Sequence, residues 1–290
     1  MATFPHEYKS TMSKIVISID GYDYDVTSWR NHHPGGVELL DQMHEQDATD
    51  TFYALHSKEA IAKLSKMAKT PTDMKKMKWV VTPAAQAFRE FRKKLEKEGY
   101  FDRNWLIEAI QIAAVIGFVV VGTLIARTWP ILASFLIGVG LQQAGWVGHD
   151  FGHGRGTMCK YLNLVMSSTL LGFSSGWWSH KHNTHHCFPN RYEVDVDIHN
   201  EPIIHLWFPK DGEDIWYRKY QHLYYPIAYS FLHASWRIQS IIFVIGSGEW
   251  PERILIFIGY CWYLSLPFYV FAGSLLIGGF LVAIVVTCNH

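Results

Sequence analysis

The chain has 290 residues, enough for two compact domains or one domain and a membrane part, and a formal net charge of zero. Hydrophobic residues make up 49% and charged residues 18%, against about 25% charged in an ordinary soluble domain. Electroneutrality excludes a bulk electrostatic case for nucleic acid, and the twelve Trp in an aromatic content of 15% suit anchoring at a bilayer interface. The four cysteines (Cys159, Cys187, Cys261, Cys288) are scattered and form no CxxC pair, so neither a zinc site nor a disulfide framework is expected. The N-terminus, MATFPHEYKSTMSKIV, lacks a long apolar h-region.

Residues 1–100 have mixed periods. ISIDGYDYDV alternates like a strand pair with a turn at Asp20-Gly21, and short helices are expected around HPGG and DATDTFYALH. TPAAQAFREFRKKLEKEGYF places Phe88, Phe91 and Leu95 at helical spacing with a basic run on the other face. That pattern fits an amphipathic juxtamembrane helix at a cytoplasmic surface and, equally, a solvated linker helix.

From Trp105 the chain turns apolar. Segments 106–126 and 131–148 form a first hydrophobic hairpin through Arg127-Thr128-Trp129-Pro130, and a second pair lies toward the chain end with Gly273 near its turn. YLNLVMSSTLLGF is too short to cross and reads as interfacial. Leu223 to Gly246 is long enough, but His233 and Arg237 in its middle argue for an interfacial position or packing against protein. The expectation is four crossings in two hairpins. Arg89, Arg92, Lys93, Lys94 and Lys97 before the first crossing put the N-terminal half, the central segment and the chain end on the cytosolic side.

Two groups of histidines carry chemistry. His33, before Pro34-Gly35-Gly36, and His56 can ligate one haem iron axially, an arrangement suited to electron transfer. HDFGH sets His149 and His153 at i and i+4, one turn of helix, and HKHNTHH sets His182 with His185 and His186 at i+3 and i+4. Nitrogen-rich ligation without thiolate suits iron, copper, zinc or nickel, and a neighbouring haem that delivers electrons favours iron.

Residues 14–75, with IDGYDYDV, HPGG, DATDTF and the second histidine, resemble cytochrome b5. The resemblance implies His33 and His56 as the axial ligands of haem b. The whole order, with QQxGW, HDxxH, WWxxKHNxHH, QHLYY and a closing GGFxxAIVVxxNH, is similar to the membrane-bound front-end fatty acid desaturases, the closing stretch to their Δ8-type members. What that family implies is a non-haem di-iron centre that uses dioxygen as co-substrate. Its electrons come from NADH-cytochrome b5 reductase through the haem. Its product is a cis double bond between the carboxyl end and an existing double bond of a fatty acyl-CoA or phospholipid chain, made at the endoplasmic reticulum. Carried over by position, the iron ligands are His149, His153, His182, His185, His186 and His290, with Asp150 orienting them.

The expected fold is an α+β cytochrome b5-like haem domain (14–75), a linker and juxtamembrane helix (76–104) and an all-α integral membrane domain (105–290) with four transmembrane helices. Two departures from the family stand out. His180 occupies a position where the family usually has an acidic residue and is expected to be a bystander. The family's third box, QxxHH, does not occur, so the sequence is expected to be a fragment or truncated product. Three rival readings follow: a cytochrome b5-fused sphingolipid desaturase, a fatty acid hydroxylase, and a membrane-anchored haem electron carrier with an inactive desaturase part. Δ5, Δ6 and Δ8 selectivity all stay open, with Δ8 slightly favoured by the resemblance of the closing stretch.

Overall fold

A computed structural model describes residues 12–33, 35–73, 81–154, 156–192, 194–198, 201–206 and 214–288. The chain divides into two units, one ending at Trp105 and one beginning at Leu106.

The first unit is built on a hairpin. Strands β1 (Val16–Ile19) and β2 (Tyr22–Asp25) pair antiparallel with Val16 opposite Asp25 and Ile19 opposite Tyr22. Asp20 and Gly21 form the two-residue turn with φ of 51° and 75°, the left-handed values that match the twist of paired strands. Strand β3 (Thr70–Pro71) adds to the free edge of β2. Ile15, Ile17 and Ile19 are buried at period two, together with Leu39 and Leu40 of helix α1 (Val37–Gln42) and Phe52 of α2 (Thr49–Leu55). Helix α3 (Lys58–Leu64) is capped by Ser57, whose hydroxyl accepts from the Ala60 N–H.

Helix α4 (Pro83–Lys97) starts with two local signals, Thr82 accepting from the Ala85 N–H at 3.1 Å and Pro83 in the first turn. The Arg89 guanidinium grips both oxygens of Asp50 at 2.8–3.1 Å and donates to Asp47 at 2.7 Å, and Arg92 donates to the Tyr53 carbonyl at 2.7 Å. Because Asp50 is half exposed, this fork is discounted for solvent screening, and Arg89→Ala is expected to cost about 1–2 kcal/mol. The expected readout is a lower thermal midpoint for this unit, only partly restored by Arg89→Lys, which keeps the charge and loses the two-pronged geometry.

The second unit is helical. Among the described residues, three helices are long and apolar enough to cross a membrane: α5 (Trp105–Leu124), α6 (Pro130–His153) and residues Phe268–Val286 of α12 (Phe268–Cys288). The fourth expected crossing corresponds to α11 (Trp250–Ser265), whose 16 residues reach about 24 Å, short of a hydrocarbon core of about 30 Å. Four crossings therefore hold only approximately. Between them lie α7 (Thr157–Asn163), which runs into a π-helical stretch at Leu164–Leu171, then α8 (Ser175–Cys187), α9 (Gln221–Ser230) and α10 (Leu232–Ser247). The ambiguous 223–246 segment is split at Phe231, and its His233 and Arg237 are buried against protein, where Arg237 donates to the Tyr263 hydroxyl at 2.6 Å.

Helices α6 and α12 meet on glycine. A Cβ on Gly138 would stand 2.8 Å from the Ile277 side chain, and one on Gly278 would stand 3.1 Å from the Gly138 carbonyl. Small residues at a crossing let backbones approach, the packing mode open to helices in lipid. At 24 residues α6 is about 36 Å long, so its last turn projects beyond the hydrocarbon core. That turn carries HDFGH.

Candidate haem and metal centres

In the first unit the His33 and His56 rings face each other with centroids 5.7 Å apart and planes at 36°. His56 follows the end of α2, and its Nδ1–H donates to the Phe52 carbonyl at 3.0 Å, which leaves Nε2 as the ligating atom. Phe52 stacks on the same ring at 4.3 Å. Gly35 makes room for its neighbour, since a Cβ there would lie 2.9 Å from His33 Cε1. Burial, with the facing His56, lowers the His33 pKa to about 4, so the ring is in its neutral, ligating form at neutral pH. Two imidazoles opposed across a gap of this size fit a haem, whose iron His33 and His56 would ligate.

In the second unit four imidazoles converge. His182 Nε2 lies 2.8 Å from His149 Nε2, 3.1 Å from His153 Nε2 and 3.0 Å from His186 Nε2, and His149 and His153 stand 3.1 Å apart. All four donate one ligand atom to a group spanning no more than 4.8 Å. Spacings of 2.8–3.1 Å are close enough for these nitrogens to share one metal ion, and an all-imidazole donor set suits iron among the borderline metals. Helix geometry explains the convergence: His149 and His153 share a face of α6, as His182 and His186 share one of α8. Burial lowers the pKa of His182 and, with His182 and His185 beside it, takes His186 down to about 4, so both rings are neutral bases at neutral pH.

The fifth box histidine behaves differently. His185 lies outside the four-nitrogen group and its Nδ1–H donates to Asp195 at 2.7 Å. Asp195 is fully buried and accepts also from the backbone N–H of Asn190 and of Asp197. Asp197 in turn takes an ion pair from Lys181 at 2.8 Å and a hydrogen bond from His182 Nδ1–H at 3.3 Å. Burial would raise the Asp197 pKa, but Lys181 and His182 outweigh it and hold the carboxyl well below the usual range. The segment after α8 thus folds back so that two carboxylates support two histidines one turn apart. Asp195 and Asp197 in YEVDVDIH can be read from sequence equally as supporting carboxylates or as a solvated loop, and the pairing spans 10 and 15 residues, beyond the reach of helical spacing. Asp150, expected to orient the ligands, has a 71% exposed side chain 3.4 Å from His149 Nδ1, a marginal hydrogen bond. His180 is not in the group, and His290 lies outside the described residues.

A cavity of about 300 Å³ opens beside these histidines, its wall formed largely by Trp146, Leu171, Phe173, Trp178, Trp236 and Val282. Trp178 stacks on His182 at 4.8 Å, and the Lys181 ammonium sits 5.0 Å over Trp236. His222 of QHLYY, which from sequence could line a substrate path, is exposed and does not line the cavity. An apolar slot ending at a nitrogen-ligand cluster can hold a hydrocarbon chain against a metal and exclude water from it.

Residues 126–290, more than half of the chain, match the fatty acid desaturase family, and residues 6–100 match the cytochrome b5-like heme/steroid binding domain. The chain belongs to the fatty acid desaturase family. The desaturase is similar to a Delta(8)-fatty-acid desaturase of Euglena gracilis, 30% identical over 92% of this chain and 70% of that protein. It is 27% identical to a Delta(6)-fatty-acid desaturase of Caenorhabditis elegans over 89% of this chain and 70% of that protein. It is also 30% identical to a fatty acid desaturase 2-like protein of Mus musculus over 89% of this chain but 58% of the mouse protein. No solved structure matches it. The desaturase is a membrane-bound oxidoreductase with a fused electron-transfer domain. Its two families imply haem in the first unit and a di-iron centre in the second, and both histidine sets fit those groups.

Proposed function

We propose that this desaturase inserts a cis double bond between the carboxyl end and an existing double bond of a polyunsaturated acyl chain, with Δ8 selectivity favoured. The observation that carries the reading is the convergence of His149, His153, His182 and His186 beside a largely apolar cavity that His149, His182 and His186 help to line. These four hold one iron, His185 serves the second, and His33 and His56 hold the haem. When bound, the iron pair supplies the oxygen activation that removing hydrogen from an unactivated methylene requires. The chain's own residues do the rest: Asp195 and Asp197 fix the His185 and His182 tautomers, and Trp146, Trp178 and Trp236 keep the reacting methylene dry. Methylenes along an acyl chain are chemically alike, so position selectivity comes from where the cavity holds the chain.

The substrate is an acyl-CoA or phospholipid chain, the electron donor NADH-cytochrome b5 reductase, and the setting the endoplasmic reticulum with both histidine sets facing the cytosol. The basic residues of α4 ahead of α5 support that orientation. Expression in cells fed polyunsaturated acids, followed by mapping of double-bond positions, tests the activity. New cis bonds on the carboxyl side support it, whereas hydroxylated products would transfer the chain to the hydroxylase reading. Asp197→Asn removes the charge behind His182 and is expected to weaken iron binding about 10–100-fold, measured by metal titration with haem absorbance as the folding control.

A further inference from the structure

The amphipathic segment before the first crossing has its faces separated by the structure. α4 turns Arg89 and Arg92 onto the unit that holds the haem site, through Asp47, Asp50 and the Tyr53 carbonyl. It leaves Phe88 62% and Phe91 54% exposed. At about 100° per residue, Phe88, Phe91 and Ala84 form one stripe, with Lys93 and Lys97 on the opposite side. The helix then stops at Gly99, whose φ of 79° lets the Tyr100 N–H reach back to the Leu95 carbonyl at 3.1 Å. Beyond that stop Tyr100, Phe101 and Trp105 are all exposed, and Trp105 opens the 20-residue crossing α5.

We propose that α4 is a membrane-surface helix, seated by Phe88 and Phe91 at the headgroup–acyl boundary of the bilayer that α5 enters. Only residues 98–104 separate the two helices. Fully extended, that connection spans about 28 Å, and the turn at Gly99 shortens it. α4 is therefore confined close to a lipid surface, and its stripe of exposed phenylalanine is what such a surface takes up. The exposed Tyr100 and Trp105 are amphipathic rings suited to the interface, and Phe101 adds exposed apolar surface between them. Arg89 and Arg92 point elsewhere, so one helix grips the haem-binding unit and the membrane at once. The haem site is thereby held at the membrane surface, which keeps it at high effective concentration for partners in the same membrane.

The test places the photoreactive residue p-benzoylphenylalanine at position 88, 91, 93 or 97 of the full chain in phosphatidylcholine nanodiscs. Each variant is confirmed folded by haem absorbance, irradiated, and its adducts identified by mass spectrometry. The proposal expects several-fold more lipid adduct at 88 and 91 than at 93 and 97. Equal labelling at all four positions, no lipid adduct at 88 and 91, or adducts there to this chain or to a second copy would overturn it.

Discussion

His182→Ala is expected to abolish binding of non-haem iron while the haem absorbance persists. His182 is the hub of the cluster, with its Nε2 within 3.1 Å of the Nε2 atoms of His149, His153 and His186. Truncation removes a proposed ligand and the ring stacked on Trp178, and leaves Asp197 without its imidazole donor. Loss of a supporting carboxylate alone weakens metal binding by about 10–100-fold, so loss of the ligand it supports is expected to exceed that and take desaturation below detection. The haem ligands belong to the other compact unit, so their spectrum serves as an internal standard. His180→Ala is the matched control: it changes a histidine of the same helix that stands outside the metal group, and both iron and activity should survive. Equal losses in the two variants would show that damage to α8, rather than loss of a ligand, explains the effect.

Much of this site was legible because its determinants are local. HDFGH and HKHNTHH place imidazoles at i and i+4, and helical geometry alone puts each pair on one face. Asp20-Gly21 announced the hairpin, and the cost of a buried charge kept the His233–Arg237 segment from being read as a crossing. What could not be read depends on contacts between distant residues. Nothing in HKHNTHH says that His182 and His186 face α6 while His185 turns to Asp195, because that partition is set by the return of the Asn190–Asp197 segment. Asp150 was favoured by its place inside the box, yet adjacency on a helix points neighbouring side chains about 100° apart. The buried carboxylates arrive from farther along the chain. The length of α11 was also hidden: its apolar run continues to the glycine near 273, but the helix stops at Ser265 and a new one begins at Phe268.

The haem unit permits a graded test of electron delivery. His56→Ala removes one of the two facing imidazoles together with its Nδ1–H donor to the Phe52 carbonyl, while the backbone N–H of residue 56 still donates there. The variant is expected to lose the bis-histidine absorbance spectrum and to stop desaturating while retaining non-haem iron, since the second unit is untouched. His56→Met keeps an axial ligand but replaces imidazole by a thioether, a change that raises haem reduction potentials. Reduced haem is then a weaker donor. At 298 K each 59 mV of upward shift lowers the equilibrium constant for passing one electron onward about tenfold. Potentiometric titration of His56→Met alongside its desaturation rate checks this directly, with rate falling as potential rises. Because Gly35 still leaves room for His33, the other proposed ligand, the pocket should continue to accept haem. A His56→Ala protein with an unchanged bis-histidine spectrum would assign the second axial ligand to another residue. A His56→Met protein with raised potential and undiminished rate would mean that electrons reach the second unit by a route other than this haem.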